Sequence, residues 1–160
     1  MLKKYPIFRK YNFWNWNGLK IAWYSECEDN KIPLLFLHGF GASSDHWRNN
    51  ISYFAKNGYA VYALDLLGFG KSDQPGLNQI GELNNGIWCD QVNDFITEII
   101  RPKNLNKVVI IGNSLGGLVA LTCSVAIPEE ISGIIASPLP DPINIKISSY
   151  SLNSNNENIK

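Results

Sequence analysis

Four short, largely apolar runs recur along the chain, at 33–38, 59–64, 108–111 and 131–136, each leading into glycine- or proline-bearing sequence. Apolar runs without polar alternation predict strands buried on both faces, as in a parallel sheet. Between them the apolar spacing changes to that of helices. Trp47, Ile51, Phe54 and Ala55 share one face of a helix that Ser43 or Ser44 can cap and Gly58 ends. Trp88, Val92, Phe95, Ile96, Ile99 and Ile100 mark an amphipathic helix that Pro102 follows; residues 73–86 before it read as a loop. The acidic groups on its polar face, Asp90, Asp94 and Glu98, read as solvated. A third helix, over 115–127, is apolar nearly all round (Leu118, Val119, Leu121, Val125, Ile127), as a helix against the centre of a sheet should be; Pro128 stops it. Strands alternating with helices predict right-handed crossovers, hence an α/β fold with a mostly parallel sheet.

The two ends differ from this middle. Residues 1–25 mix Lys and Arg with aromatics, and Asn17-Gly18 between alternating positions predicts a type I′ β-hairpin over the sheet edge. From Ser148 to Lys160, eight of thirteen residues are Ser or Asn. Such a stretch buries too little apolar surface to offset its ordering entropy, and reads as a disordered tail. The domain division is therefore 1–147 and 148–160.

Composition narrows the function classes. A formal net charge of zero argues against a nucleic-acid partner, which would want a basic face. No apolar run approaches the 18 residues of a membrane span, and the N-terminus has no secretory pattern. Cys27, Cys89 and Cys123 are scattered without metal or disulfide spacing, which suggests packing roles in a reducing, cytoplasmic setting.

The chemistry concentrates in one stretch. Val108 to Ile111 is followed by Gly112-Asn113-Ser114-Leu115-Gly116, which fits G-x-S-x-G between a predicted strand and a predicted helix. Glycines at 112 and 116 leave room for a turn sharp enough to push Ser114 Oγ out at the strand's carboxyl end, beside a helix N-terminus that favours developing negative charge. Two further stretches accompany it: His38-Gly39-Phe40-Gly41 after the first apolar run, and Asp65-Leu66-Leu67-Gly68-Phe69-Gly70-Lys71-Ser72 after the second.

In that order, these three motifs resemble the α/β-hydrolase fold superfamily, in wording closest to its pheophytinase-like and epoxide-hydrolase-like branch. The resemblance covers about residues 10–142 and implies a mostly parallel sheet with an N-terminal hairpin. It implies ester or acyl hydrolysis of a small apolar ester-like substrate through Ser114, with the backbone N–H groups of Phe40 and Leu115 as oxyanion hole. Gly39, Gly41, Gly112 and Gly116 are the supporting glycines, and His38 braces the oxyanion loop. No metal or organic cofactor is implied.

A serine nucleophile also needs a histidine base and an acid that orients it, in the chain order Ser, acid, His. Asp141 is the candidate acid. Both histidines, His38 and His46, precede Ser114, so none occupies the base's place. The reading is of a hydrolase cut after its sixth strand, without lid or C-terminal strands and catalytically incomplete. The alternatives are a non-catalytic small-molecule-binding module, and an interaction subunit whose sheet another chain completes at the edge of 131–136.

Overall fold

The computed structural model describes residues 10–26, 32–76, 78, 83–104 and 106–137. Six strands form one mixed sheet, with β1 Asn12–Trp16, β2 Leu19–Glu26, β3 Pro33–Leu37, β4 Ala60–Leu64, β5 Val108–Gly112 and β6 Ile131–Ala136 in the order β1-β2-β4-β3-β5-β6. β3 pairs parallel with β4 and β5, and β5 with β6; β2 runs antiparallel to β4 and β1 to β2. The fold is the α/β architecture that the alternation predicts. β1 and β2 form the expected hairpin, and φ of 51° at Asn17 and 82° at Gly18 are those of a type I′ turn.

Each sheet face carries its own apolar layer. Helices α2 (Asn85–Phe95) and α3 (Leu115–Ala126) cover one face, packing Trp88, Val92, Phe95, Val119 and Cys123 against Trp23, Leu35, Tyr62 and Ile110. Helix α1 (Arg48–Lys56) covers the other, setting Ile51 and Ala55 on Leu34, Phe36, Val61 and Ala63. Cys89 and Cys123 are both buried between the helices of the first layer, in the packing role expected of them.

Several local expectations are corrected. Neither Ser43 nor Ser44 caps α1 with its side chain; a 3₁₀ turn, Ser44–Trp47, precedes the helix, and Ser44 gives its backbone N–H to Asp65 Oδ1 at 2.6 Å. The loop after β4 ends at Asn84, whose Oδ1 accepts from Gly86 N and Ile87 N and so caps α2 two residues earlier than the loop reading allowed. Beyond Phe95 that helix widens into a π turn over Ile96–Ile100, closed by Arg101 N–H to Ile96 O at 2.8 Å. Asp94 and Glu98 are not merely solvated. Trp16 Nε1–H donates to Asp94 Oδ2 and Trp14 Nε1–H to Glu98 Oε2, both at 2.8 Å, and these bonds fasten the hairpin to α2 and the π turn that extends it.

The right-hand side of the sheet is more open than the pattern implied. α3 is apolar nearly all round, yet Val125 is 76% exposed and Leu121 is exposed beside it. β6 has β5 as its sole strand neighbour among the described residues, and its Ile135 is 56% exposed. No helix among the described residues is long and apolar enough to cross a membrane. The division at residue 147 and the tail reading fall outside the described residues.

Candidate active site

Strand register brings the three motifs together. Leu37 stands opposite Leu64 on one side and Gly112 on the other, and Gly112 opposite Ala136. The loops that leave these carboxyl ends therefore emerge at one edge of the sheet. β3 connects to β4 on one side of it, while β5 lies on the other, so the 38–43 loop and Ser114 flank the point where strand order reverses. That is where open α/β sheets bind ligands.

Ser114 is half-buried at the N-cap of α3 with φ 52° and ψ −113°. A non-glycine residue there costs about 1–3 kcal/mol and persists only where its surroundings hold it. They do. Asn113 N–H donates to Leu37 O at 3.1 Å and Asn113 O accepts from Gly116 N, while Ser114 O accepts from Gly117 N and Leu118 N. Asn113, for which the sequence reading had no role, also donates Nδ2–H to Ser137 O at 2.8 Å, tying the elbow to the end of β6. The two glycines make the turn geometrically possible. A Cβ at Gly112 would lie 2.2 Å from Gly116 O, and one at Gly116 would lie 2.2 Å from Leu37 O.

The 38–41 loop lies directly against this elbow. A Cβ on Gly39 would be 3.3 Å from Ser114 Cβ and 3.0 Å from Asn113 Oδ1. Ala42 N–H closes a turn on Gly39 O at 3.2 Å; with φ +68° at Gly41 and Phe40 at negative φ, the turn is type II. Phe40 sits at its outer corner, 80% exposed, with its ring edge-on to Phe69 at 5.2 Å. Among the described residues neither the Phe40 N–H nor the Leu115 N–H is taken by a protein acceptor.

His38 is fully buried beneath the loop, and both of its nitrogens are engaged. Nε2 accepts from Leu66 N–H at 3.0 Å, which leaves the proton on Nδ1, and Nδ1–H donates to Gly39 O at 2.8 Å. Burial holds the imidazole below its usual pKa, against the Gly39 carbonyl and Asp65, which act to raise it. Neither nitrogen is free to take a proton from Ser114. His46 is exposed, its ring edge-on to Trp47 at 5.0 Å. Among the described residues Ser114 Oγ has no hydrogen-bond partner of either kind. Asp141 lies outside the described residues.

The third motif is a buried scaffold. Asp65 accepts at Oδ1 from Ser44 N–H and at Oδ2 from Lys71 N–H, the latter at 2.8 Å. Ser72 Oγ–H donates to Asp65 O at 2.7 Å and accepts from Ala22 N–H, joining the turn to β2. Gln91 on α2 is fully buried; its Oε1 accepts from Leu67 N–H at 3.0 Å and its Nε2–H donates to Asp65 O at 3.4 Å. Gln91 went unremarked in the sequence. A lone polar residue at a core position of the 88–100 helix was the available signal.

Residues 32–144 match the family described as alpha/beta hydrolase fold. The chain belongs to the α/β-hydrolase fold family. The pimeloyl-[acyl-carrier protein] methyl ester esterase of Wigglesworthia glossinidia brevipalpis is 36% identical over 104 residues, 65% of this chain and 35% of that protein. Epoxide hydrolase 4 of Mus musculus is 33% identical over 126 residues, 79% of this chain and 33% of that one. Among solved α/β-hydrolase structures, a membrane phospholipase A described as a bacterial virulence factor superposes with a TM-score of 0.71 at 28% identity, covering 80% of this chain and 39% of that chain. The chain thus spans about a third of the length of these curated relatives.

Proposed function

We propose that this α/β-hydrolase unit serves serine-dependent hydrolysis of a small, apolar ester or acyl substrate, with Ser114 as nucleophile and the N–H groups of Phe40 and Leu115 as oxyanion hole. Gly39, Gly41, Gly112 and Gly116 give these groups their close approach, and Asp141 is the acid that orients the base. One observation carries the reading: the strained backbone of Ser114 and the type II turn of the 38–41 loop meet at the carboxyl ends of β3 and β5. The methyl ester esterase among the relatives supports ester chemistry.

Water would attack an acyl group bound at Ser114 only after the serine proton has been removed and the leaving group protonated. Among the described residues His38 is committed at both nitrogens and no histidine is hydrogen-bonded to Ser114 Oγ, so the reading needs a base that these residues do not place there. The edge of β6, which has no second strand neighbour among the described residues, and the exposed Val125 and Ile135 support a polypeptide that continues the sheet there and brings the base with it. The test is prolonged exposure to a fluorophosphonate, followed by peptide mapping. Modification on Ser114 that vanishes in Ser114→Ala supports the assignment; modification confined to another residue overturns it.

A further inference from the structure

His38, Gln91 and two peptide planes form a single directional chain of hydrogen bonds that ends at the proposed oxyanion donor. Its geometry follows from the fact that a trans peptide holds its C=O and N–H on opposite sides of one rigid plane. All peptide bonds among the described residues are trans.

The first plane is Asp65–Leu66. Its carbonyl accepts from Gln91 Nε2–H and from Ser72 Oγ–H, and its N–H, at the other end, donates to His38 Nε2. The second plane is Gly39–Phe40. Its carbonyl accepts from His38 Nδ1–H, so its N–H, that of Phe40, is directed away from the buried imidazole. The same loop lies against the elbow, the Cβ site of Gly39 being 3.3 Å from Ser114 Cβ.

We infer that Gln91 is a positioning residue for the oxyanion hole: by clamping the Asp65–Leu66 peptide it holds His38 as the Nδ1–H tautomer and thereby fixes the Phe40 N–H. Each link has one polarity. Leu66 N–H can only donate, so the nitrogen facing it must carry no proton; the remaining proton sits on Nδ1 and points at a carbonyl that can only accept. Reversing the tautomer would set two donors face to face at Leu66 and two acceptors face to face at Gly39. The Gly39–Phe40 peptide would then be held by the Ala42 N–H alone, and the Phe40 N–H would lose its fixed direction. Gln91 supplies what a hydrophobic residue at the same core position could not: an acceptor for Leu67 N–H and a donor for Asp65 O from one amide. Trp88 Nε1–H, donating to Leu67 O at 2.9 Å, holds the far side of the same turn.

The role of Phe40 N–H in catalysis rests on the function proposed above; the relay itself does not, and nuclear magnetic resonance reads it without any activity. Long-range ¹H–¹⁵N correlation on the 160-residue chain reports which His38 nitrogen is protonated, with His46 as the internal comparison. The expected wild-type spectrum has His38 protonated at Nδ1 alone at pH 7.5. Gln91→Glu retains the acceptor for Leu67 N–H but abolishes the donor to Asp65 O. It should shift the His38 Nε2 and Phe40 amide resonances together while leaving His46 unmoved. The conservative Gln91→His, with a ring N–H able to reach the same carbonyl, should restore both partly. In the same variants, a fluorophosphonate should label Ser114 about tenfold more slowly in Gln91→Glu, a fraction of the ~10²–10³ that losing a whole oxyanion donor costs. A wild-type His38 protonated at Nε2, or a Phe40 amide indifferent to Gln91→Glu, overturns the inference. So does a Gln91→Glu chain that fails to fold and a Ser72→Ala chain that folds with both resonances unchanged. If the resonances move as expected but Ser114 is never labelled in any variant, the relay stands and the proposed function falls.

Discussion

Gly116→Ala is a sharp structural perturbation of the elbow. The added methyl would lie 2.2 Å from Leu37 O, 2.6 Å from Leu37 C and 2.8 Å from His38 O. All three are backbone atoms at the end of a central strand, so no side-chain rotation can relieve the contact. An ordinary carbon–oxygen approach is well over 3 Å, so the N-terminus of α3 would have to retreat from β3 by about 1 Å. Overpacking a core typically costs about 1–3 kcal/mol; a clash against an immobile strand puts this one at or above 3 kcal/mol. The total for a domain is about 5–15 kcal/mol, so the variant should lose a large share of its stability. Gly133→Ala on β6 is the matched control, because nothing lies within 4 Å of its Cβ site and its φ is not positive; it should be neutral or stabilising by up to about 1 kcal/mol. Urea unfolding followed by tryptophan fluorescence measures both. A Gly116→Ala chain within 1 kcal/mol of Gly133→Ala would refute the claim that close approach at position 116, and not flexibility, is why a glycine stands there.

Two further perturbations separate the packing account from the electrostatic one. Asp94→Ala strands the Trp16 indole N–H and should cost about 1–2 kcal/mol in the same unfolding assay, with the hairpin fluorescence changing first; a change below about 0.3 kcal/mol would mean that the bond contributes nothing. His38, held by burial below its usual pKa against the Gly39 carbonyl and the charge of Asp65, binds its proton more weakly folded than unfolded. Its stabilising contribution is therefore complete above pH about 6.5 and is lost as pH falls through the lowered folded value. Thermal unfolding between pH 4 and 8 should show this drop in wild type and lack it in His38→Gln; wild-type stability rising relative to His38→Gln as pH falls would have the wrong sign.

How much of this was legible in the sequence depends on what each feature rests on. The strands and the hairpin turn follow from local pattern: β3, β4 and β5 are apolar without alternation because both faces are covered, and Asn17-Gly18 is chosen for positive φ. The elbow was legible because glycines at fixed offsets from Ser114 announce a steric problem before the partner atoms are known. Bonds between distant segments were hidden. Nothing near Asp94 or Glu98 announces that tryptophans some eighty residues upstream will seek them out, so a charged helix face read as solvated. Gln91 was hidden for the same reason, since its two partners belong to a turn more than twenty residues away. The exposed side of α3 was misjudged because its composition matches a buried helix, while the described residues beyond β6 offer nothing to cover it.

The central claim is that the two loops at the ends of β3 and β5 form an oxyanion site, and one measurement bears on it most directly. A type II turn favours proline at the position Phe40 occupies, so Phe40→Pro should retain the turn while removing the N–H. Hydrolysis of a p-nitrophenyl ester, in excess of buffer and with aggregation monitored, is compared for wild type, Phe40→Ala, Phe40→Pro and Ser114→Ala. The site without its base should retain only the residual catalysis of an oxyanion hole, on the order of 10³–10⁴ over water, with Ser114→Ala little different from wild type. Phe40→Ala should match wild type and Phe40→Pro should fall by about 10²–10³, to the buffer rate or near it. Equal rates in Phe40→Pro and Phe40→Ala would contradict the oxyanion assignment. Turnover of about 1 s⁻¹ or more that Ser114→Ala abolishes would show that these 160 residues hold a working base.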